Sequence, residues 1–324
     1  MVQNCLTNDS DRTATNTPVL SIVSPVYYGS KLVAPLVARI TEELNKLGVL
    51  YEIVLVEDGS PDDSWTKIVA EGEQNRHVRG VKLSRNFGQH AAISAGLHES
   101  RGDYVVVIDC DLQEDPRYIA ALLEEARKGF DIVYARRESR SHSRFKNLGA
   151  LFFNTAFNWL SENKQVNSRA DVGSYSILSR RVVEAFRQIN DYHRHYLLVV
   201  RWLGFRSSYI EVEHNKRLEG RSSYSVRKLI RHAIDGITSQ STRLLRISIA
   251  IGLLFFCAAI LAAILLIVLY FTQGLREGWT SVMVLILLST GMIMMSLGII
   301  GIYLGKAFEQ VKGRPLYIVE TRVN

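Results

Sequence analysis

The chain has 324 residues, of which 47% are hydrophobic and 22% charged. That composition suits one large or two ordinary globular domains and excludes a disordered or collagen-like chain. Two uncharged, mostly apolar runs, 247–271 and 278–305, each exceed the roughly 20 residues that a helix needs to cross a bilayer. The sequence therefore argues against a wholly soluble protein.

The net charge of +7 is unevenly distributed along the chain. Residues 1–135 carry 13 Lys and Arg against 20 Asp and Glu, whereas residues 136–231 carry 19 against 8. A basic block beside apolar runs indicates anionic ligands such as phosphates or lipid head groups. No nucleic-acid motif is visible, so we do not expect nucleic acid as a partner. The three dispersed cysteines form no disulfide framework and indicate a reducing compartment.

From residue 18 onward, short apolar strands alternate with amphipathic helices. Strands are predicted at 19–24, 51–56, 78–83, 104–109, 131–135, 175–178 and 209–212, and helices at 31–47, 62–74, 88–99, 116–128, 142–161 and 180–189. This alternation predicts an α/β fold with a mostly parallel sheet that is covered on both faces. Ligands of such sheets bind in the loops that follow the carboxyl ends of the strands.

The pattern divides the chain into five segments. These are a disordered tail at 1–17, an α/β domain at 18–222, an interfacial amphipathic helix at 223–246, a transmembrane hairpin at 247–305 and a cytoplasmic tail at 306–324. No apolar stretch near the amino terminus predicts a signal peptide. Lys and Arg flank the outer ends of the hairpin, so both ends and the α/β domain are expected in the cytoplasm.

Two carboxylates follow the predicted strand 104–109, in the segment Asp109-Cys110-Asp111-Leu112-Gln113. Carboxylates at positions i and i+2 can converge on one divalent cation where the chain turns after a strand. Mg²⁺ and Mn²⁺ prefer such hard oxygen ligands and readily share phosphate oxygens. A solvated acidic turn is the alternative, but the position at a strand end favours a metal site.

Other polar segments also follow predicted strands or adjoin the membrane part. They are Pro25-Val26-Tyr27, Glu57-Asp58-Gly59-Ser60, Ser84-Arg85-Asn86-Phe87-Gly88-Gln89-His90, Arg136-Arg137 and Arg217-Leu218-Glu219-Gly220-Arg221. Asp58 is a candidate acceptor for a nucleobase or ribose, and the arginines are candidate phosphate ligands. Strand ends, helix caps and solvated basic turns remain the structural alternatives.

Several common enzyme signatures are missing from the sequence. There is no G-x-G-x-x-G after the first strand, no phosphate-binding G-x-x-x-x-G-K-[ST], no G-x-S-x-G and no zinc-spaced His/Cys cluster. Their absence disfavours a Rossmann dehydrogenase, a P-loop enzyme and an α/β-hydrolase.

The polar segments at 25–27, 57–60, 84–88 and 109–113, in this order, resemble those of a family 2 glycosyltransferase with a GT-A fold. The two apolar runs followed by Gly313-Arg314-Pro315-Leu316-Tyr317 are similar to the polyprenyl-phosphate glycosyltransferases, the dolichol- and undecaprenyl-phosphate sugar synthases. The resemblance covers about residues 18–318. It implies a transferase that uses a nucleotide sugar and a lipid phosphate.

The resemblance implies a role for each candidate residue. Asp109 and Asp111 are expected to hold Mg²⁺ or Mn²⁺ and the diphosphate, and Gln113 to lie near the sugar or acceptor. The donor nucleotide is expected at Pro25, Tyr27 and Asp58. Phosphates of the donor or lipid are expected at four arginines: Arg136, Arg137, Arg217 and Arg221.

The sequence departs from the family pattern at three places. Tyr28-Gly29 stands where Asn-Glu is usual after the Pro-x-Tyr segment. In Gly173-Ser174-Tyr175-Ser176 an acid and an arginine of the family pattern are both replaced by serine, and Asp171 is a candidate substitute for the acid. Ser223 replaces a usual lysine.

The resulting hypothesis is an inverting, metal-dependent hexosyltransferase in the bacterial inner membrane. It is expected to transfer a hexose from a nucleotide sugar to undecaprenyl phosphate at the cytoplasmic face. UDP-glucose is the best candidate for the donor. GDP-mannose or an amino sugar donor, a non-catalytic protein that binds nucleotide sugar or anionic lipid, and a processive polysaccharide synthase are the alternatives. A homo-oligomer is left open.

Overall fold

The computed structural model describes residues 18–137, 172–192, 194–213, 243–273 and 278–324. The predicted tail 1–17, the predicted helix 142–161 and residues 223–242 of the predicted interfacial helix lie outside these residues, as do Asp171, Arg217 and Arg221. The described residues fall into two compact units. The first holds residues up to 213 together with 315–324, and the second holds 243–273 and 278–314.

The described part of the first unit contains strands and helices in alternation. The strands are β1 (Leu20–Val26), β2 (Tyr51–Glu57), β3 (Val78–Leu83), β4 (Tyr104–Val107), β5 (Ile132–Arg137), β6 (Val172–Ser179), β7 (Ser207–Val212) and β8 (Val319–Val323). The helices are α1 (Val33–Leu47), α2 (Ser64–Gln74), α3 (Gln89–Glu99), α4 (Ile119–Arg127), α5 (Arg180–Gln188) and α6 (Tyr196–Trp202). A single 3₁₀ turn, Pro116–Tyr118, precedes α4.

The eight strands form one mixed sheet in the order β7-β5-β6-β4-β1-β2-β3-β8. Strands β4, β1, β2 and β3 are parallel to one another, whereas β6 and β8 run antiparallel to their neighbours. The predicted α/β fold with a mostly parallel sheet is therefore confirmed. Because the chain proceeds from β1 to β2 and β3 on one side and returns to β4 on the other, the strand order reverses at β1. Such a switch point opens a crevice at the carboxyl ends of the strands.

Helices cover both faces of the sheet, as the nearly continuous apolar strands predict. Ile22 of β1 packs in a cluster with side chains of α1, α2 and α4, whereas the next residue, Val23, packs with those of α3, α5 and α6. Successive side chains of a strand point to opposite faces. The first unit thus has three layers, and its sheet is the rigid base of the loops at the carboxyl ends.

Pro25 does not end β1, although the sequence analysis placed the strand end there. Pro25 pairs with Val56 and the strand continues to Val26. The carbonyl of Val23 accepts from Ile108 N, which lies on the β4 side. Backbone groups of residues two apart in a strand face the same neighbouring strand, so the ring nitrogen of Pro25 also faces the β4 side. Ladder pairing with β4 ends at Val23, so the missing N–H of Pro25 removes no ladder hydrogen bond.

Two elements of the first unit were not predicted. Helix α6 had been left unassigned. Strand β8 lies in the segment 306–324, which the sequence analysis treated as a tail. It pairs antiparallel with β3, about 240 residues earlier, so no local pattern announces its partner.

The second unit contains two long apolar helices, α7 (Arg243–Gln273) and α8 (Trp279–Val311). Both are long and apolar enough to cross a membrane, with the most apolar windows at Leu245–Ala262 and Leu288–Val311. Large hydrophobic side chains along both helices are exposed, as expected of helices that face lipid. The two apolar helices expected from the sequence are present, and α8 continues six residues beyond the predicted end at 305.

Candidate active site

A cavity of about 290 Å³ lies at the carboxyl ends of the parallel strands, at the switch point. Its walls come from the loops after β1, β2, β3 and β4. The lining residues are Pro25, Val26, Tyr27, Asp58, Asn86, Gly88, Gln89, Asp109, Cys110 and Asp111. The structure thus brings together five of the site residues predicted from the sequence: Pro25, Tyr27, Asp58, Asp109 and Asp111.

The two acidic residues after β4 are held by their own loop and by α3. Asp109 Oδ1 accepts a hydrogen bond from Gln89 Nε2 at 2.7 Å, and its backbone N–H donates to Glu114 at 3.1 Å. Asp111 Oδ1 accepts from Gln113 N at 3.1 Å. Leu112, which lies between Asp111 and Gln113, has a φ of 58°, a left-handed conformation that costs a non-glycine residue about 1–2 kcal/mol. The loop is therefore constrained around its carboxylates.

The donor set of this loop fits Mg²⁺ or Mn²⁺. Asp109 and Asp111 are half-buried, line the same cavity and accept from neutral donors. Among the described residues there is no cluster of three His, Cys, Asp or Glu side chains that could enclose an ion. Mg²⁺ is commonly held by only one or two carboxylates together with substrate phosphates, so an acidic pair is sufficient.

Cys110 stands between the two acids but does not share their chemistry. Burial, with a smaller contribution from the neighbouring charge of Asp109, raises the pKa of the Cys110 thiol to about 12. The thiol is therefore protonated at neutral pH. A pKa this high disfavours a nucleophilic role for Cys110, because the thiolate is the reactive form.

Asp58 forms the wall between the loops after β2 and β3. Its side chain accepts from the backbone N–H of Phe87 at 2.7 Å and of Gly88 at 2.9 Å, one on each carboxylate oxygen. Burial raises the pKa of the Asp58 carboxyl, and the two amide hydrogen bonds offset only part of that increase. An ionised carboxylate has about four acceptor positions, so capacity for a ligand remains.

The loop after β2 closely approaches the loop after β3. Gly59 has a φ of 59°, and a Cβ at this position would lie 2.3 Å from the backbone of Arg85 and Asn86. Only glycine allows both the left-handed conformation and this approach. The glycine of the Glu57-Asp58-Gly59-Ser60 segment therefore brings Asp58 within reach of the amides that it binds.

The tyrosines after β1 rest on a polar cluster supplied by the loop after β2. Ser60 Oγ accepts from Tyr28 N at 2.8 Å, Ser64 Oγ accepts from Gly29 N at 2.9 Å, and both hydroxyls donate to Asp62 Oδ1. Asp62 Oδ2 accepts from the backbone N–H of Ser30, in the loop after β1, at 3.1 Å. The carboxylate of Asp62 thus fixes three consecutive backbone N–H groups.

This cluster determines the titration of Asp62 and the exposure of the tyrosines. Burial alone raises the pKa of Asp62, but the hydrogen bonds from Ser60, Ser64 and the backbone outweigh it and hold the pKa well below its usual range. Tyr27 and Tyr28 stand in an edge-to-face pair with ring centroids 4.8 Å apart, and both are exposed. Exposed aromatic rings beside a cavity are suited to stacking on a planar ligand such as a nucleobase.

The remaining predicted residues do not line the cavity or lie outside the part of the chain that the structure describes. Arg136 on β5 makes an ion pair with Glu211 on β7 at 3.2 Å, and Gln113 contacts Asp111 through its backbone. Arg137 is the last residue of β5, and its side chain is not among those described. Asp171, Arg217 and Arg221 lie outside the described residues. Their roles stay predictions.

Two of the three serines that depart from the family pattern, Ser174 and Ser176, lie on β6. Ser176 is fully buried, and its hydroxyl is 2.8 Å from the hydroxyl of Tyr196 and donates to the carbonyl of Ser174 at 2.9 Å. A small polar residue is therefore integrated into the packing between β6 and α6. Ser174 is half-buried two residues before it.

Four residues contribute to the site but were not assigned a role from the sequence: Gln89, Asn86, Asp62 and Glu114. Gln89 and Asn86 belong to the segment after β3, whose position at a strand end was the available signal. Asp62 and Glu114 act indirectly, through hydroxyls and a backbone amide, and no local pattern indicates such contacts.

A larger cavity, of about 530 Å³, lies at the opposite, amino ends of β1 and β2. Its buried charged groups are paired within the protein. Glu52 accepts from Ser21 Oγ at 2.6 Å and makes an ion pair with Arg79 at 3.0 Å, and Arg79 also pairs with Glu99 at 3.4 Å. The carboxylate of this cavity is thus already compensated, so the smaller cavity is the better candidate for chemistry.

Comparison with known proteins defines the class of this protein. Residues 21–187 match the model of Glycosyl transferase family 2, and the chain belongs to this family. It is a glycosyltransferase. The sheet and its helices are similar to those of mannosyl-3-phosphoglycerate synthase from Rubrobacter xylanophilus, with a TM-score of 0.50, 19% identity and coverage of 70% of this chain and 74% of that one. This likeness supports the GT-A fold.

Curated relatives match nearly the whole chain. An uncharacterized glycosyltransferase of Synechocystis, sll0501, is 35% identical over 93% of this chain and 94% of its own length. The Undecaprenyl-phosphate 4-deoxy-4-formamido-L-arabinose transferase of Proteus mirabilis is 31% identical over 93% of each chain. These matches include the two apolar helices and favour a transferase over the non-catalytic alternative.

Proposed function

We propose that this glycosyltransferase transfers a hexose from a nucleotide diphosphate sugar to undecaprenyl phosphate, with inversion at the anomeric carbon. The observation that carries the proposal is the cavity lined by Asp58, Asp109 and Asp111 at the carboxyl ends of the parallel strands. Support for a polyprenyl-phosphate acceptor comes from relatives named Undecaprenyl-phosphate 4-deoxy-4-formamido-L-arabinose transferase, which align with 93% or 94% of this chain.

The donor is proposed to bind across the four loops of the cavity. Tyr27 stacks on the base, Asp58 accepts from the base or ribose, and Asp109 and Asp111 hold the diphosphate through Mg²⁺ or Mn²⁺. The divalent ion, when bound, neutralises charge on the departing nucleoside diphosphate. Gln89 orients Asp109 through its 2.7 Å hydrogen bond, which pre-organises the carboxylate before the donor arrives.

The chemical step needs no side chain as a general base. A lipid monophosphate is already anionic at pH 7, so its oxygen attacks the anomeric carbon without first losing a proton. The new bond forms opposite the bond to the diphosphate oxygen, which breaks and leaves as nucleoside diphosphate. Gln113, Asp171 and four arginines, Arg136, Arg137, Arg217 and Arg221, are proposed to contact the sugar and the phosphates.

UDP-glucose is the first donor that we propose. A second candidate is an amino sugar related to 4-deoxy-4-formamido-L-arabinose, which the names of the relatives favour and which would make the transferred sugar a pentose instead of a hexose. GDP-mannose is the third. The donor panel below distinguishes among the three.

We propose that the chain crosses the bacterial inner membrane twice and keeps its α/β unit in the cytoplasm. Strand β8 follows α8 and belongs to the same sheet as β1–β4, which precede α7. This connection supports a placement of both ends of the helical pair on one side of the membrane. Lys306, Lys312 and Arg314 after the second apolar run support the cytoplasm as that side.

The test is release of nucleoside diphosphate by the purified protein in lipid nanodiscs. UDP-glucose, a UDP-linked amino sugar and GDP-mannose are each supplied with Mg²⁺ or Mn²⁺, with and without undecaprenyl phosphate. We expect release with one donor only when both the ion and the lipid are present, and a product that carries one sugar.

Other results of the same test identify the alternatives. Donor binding without release supports a non-catalytic role. A product longer than one sugar supports a processive synthase. Release that needs no lipid contradicts the proposed acceptor.

A further inference from the structure

The segment after α8 contributes a strand to the sheet of the first unit. Gly313 has a φ of 60°, and its N–H donates to the carbonyl of Gln310 at 3.2 Å, which closes the helix in the manner of a left-handed cap. Pro315 follows and cannot continue a helix. The Gly313–Tyr317 motif, for which the sequence analysis found no chemistry, thus ends the helix and directs residues 319–323 into β8.

Strand β8 is fixed along its length by side chains as well as by the ladder. The Asn324 amide donates to the carbonyls of Gly72 at 2.7 Å and Val78 at 2.9 Å. At the surface, Arg322 makes an ion pair with Glu99 at 2.9 Å. These contacts hold the end of β8 that is distant from the cavity.

The other end of β8 lies beside the loop after β3. The carbonyl of Ile318 accepts from Ser84 N at 2.9 Å, at the first residue of that loop. Tyr317 packs against the same apolar cluster as Phe87. Three residues beyond Ser84, the amides of Phe87 and Gly88 make their hydrogen bonds to Asp58. The C-terminal segment and Asp58 therefore hold the loop from its two ends.

We infer that the C-terminal segment 317–323 is a positioning element for the cavity loop 84–88. Without it, β3 becomes an edge strand with an unpaired row of backbone groups, and the loop loses its attachment at Ser84 while Asp58 still binds its other end. With it, the chain that leaves the apolar helices is linked by three residues, 312–314, to the unit whose loops line the cavity. The interpretation of the loop as a donor-binding element depends on the proposed function, but its positioning by β8 does not.

The test compares hydrogen exchange in the full-length protein and in two variants of the same segment. Tyr317→Ala removes a ring that packs against the same apolar cluster as Phe87. Arg322→Ala removes only the exposed ion pair with Glu99, and such pairs contribute little to stability. The readout is exchange of the amides in residues 85–89, which include Phe87 and Gly88. These two amides donate to Asp58 and not to β8. A change in their exchange therefore reports whether β8 orders the loop beyond the residues that it contacts directly.

We expect Tyr317→Ala to accelerate exchange in residues 85–89 by about tenfold while residues 20–26 of β1 keep their protection. Arg322→Ala is expected to leave both segments unchanged. A second variant lacks residues 317–324 and is expected to show the same loss in 85–89, which the free peptide of residues 317–324 restores. In kinetic assays the donor KM rises in Tyr317→Ala, whereas the acceptor KM does not.

Unchanged exchange in residues 85–89 in both Tyr317→Ala and the shortened protein would overturn the inference. An equal acceleration in β1 would also overturn it, because it would indicate general loosening. Exchange is measured without substrate, so a protein that shows the expected loosening but transfers no sugar would contradict the proposed function and leave the positioning role intact.

Discussion

The two ends of the parallel strands carry the same residue types in different arrangements. At the amino ends, Glu52 is buried and accepts from Ser21 and Arg79. At the carboxyl ends, Asp109 and Asp111 are half-buried, line a cavity and accept from an amide side chain and a backbone N–H. A buried carboxylate that is paired with a cation inside the fold is already compensated, whereas carboxylates that line a cavity can bind a cation that comes with a ligand.

The largest effect is expected for Asp111→Asn. The substitution removes one anionic oxygen from the proposed ion site, so turnover should fall at least about 100-fold, as losses of single electrostatic contacts in active sites do. The residue is half-buried, and the side-chain oxygen of Asn can still accept from Gln113 N, so we expect thermal unfolding to change little. Rates of nucleoside diphosphate release and a melting curve measure the two effects.

Asp115→Asn is the matched control for that variant. Asp115 lies in the same acidic loop, and its side chain caps the 3₁₀ turn by accepting from Arg117 N at 3.1 Å. Asn caps such turns as well as Asp does, so turnover is expected within about twofold of the original protein. Near-normal turnover in Asp111→Asn would remove the basis for the ion site.

The next effect concerns stability at the other end of the sheet. Arg79→Leu leaves Glu52 buried without its cation, which typically lowers the free energy of unfolding by about 3–5 kcal/mol. Denaturation in detergent measures the loss, and adding Glu52→Gln should restore part of it. Turnover and donor KM of the folded fraction should stay within about twofold, since the pair lies outside the cavity at the carboxyl ends. A loss of turnover like that expected of Asp111→Asn would erase the distinction between the two ends.

A smaller effect is expected for Asp58→Asn. The amide has one accepting oxygen, so it faces either Phe87 N or Gly88 N with an NH₂ group and leaves one buried donor unpaired. Loss of such a bond is worth about 1–3 kcal/mol, so the donor KM should rise about tenfold. Asp63→Asn, at an exposed neighbouring carboxylate, serves as the control and should leave the KM unchanged.

The smallest effect is expected for Asp62→Asn, and it should depend on pH. The folded-state pKa of Asp62 lies below the unfolded value of about 4, so its contribution to stability is complete above that value and is lost as the pH falls through the folded pKa. The difference in melting temperature between the original protein and Asp62→Asn should be constant near neutral pH and shrink in acid. A difference that grows in acid would contradict the cluster.

The elements that carry the site were predictable because each has a strong local pattern. Strand β3 has the predicted bounds, and the ends of β1, β2 and β4 differ by two residues at most. The convergence of Asp58, Asp109 and Asp111 follows from their shared position after parallel strands. The motif order alone indicated the family that the comparisons confirm.

The features that were missed depend on contacts between distant parts of the chain. Strand β8 is a short segment whose partner, β3, precedes it by more than 200 residues. Asp62 acts through two hydroxyls on a loop that begins about 30 residues earlier. Pro25 was read as a strand end because its missing N–H is costly in most strands, and only the early end of β4 makes it harmless.

The most direct test of the central claim is binding of Mn²⁺ to the full-length protein, measured by electron paramagnetic resonance with and without UDP. We predict that the protein binds Mn²⁺ tightly only when UDP is present, that Arg79→Leu retains this binding at a temperature where it is folded, and that Asp111→Asn loses it. Equal binding of Mn²⁺ and UDP by the original protein and by Asp111→Asn would contradict the assignment of the carboxyl-end acids as the site of chemistry.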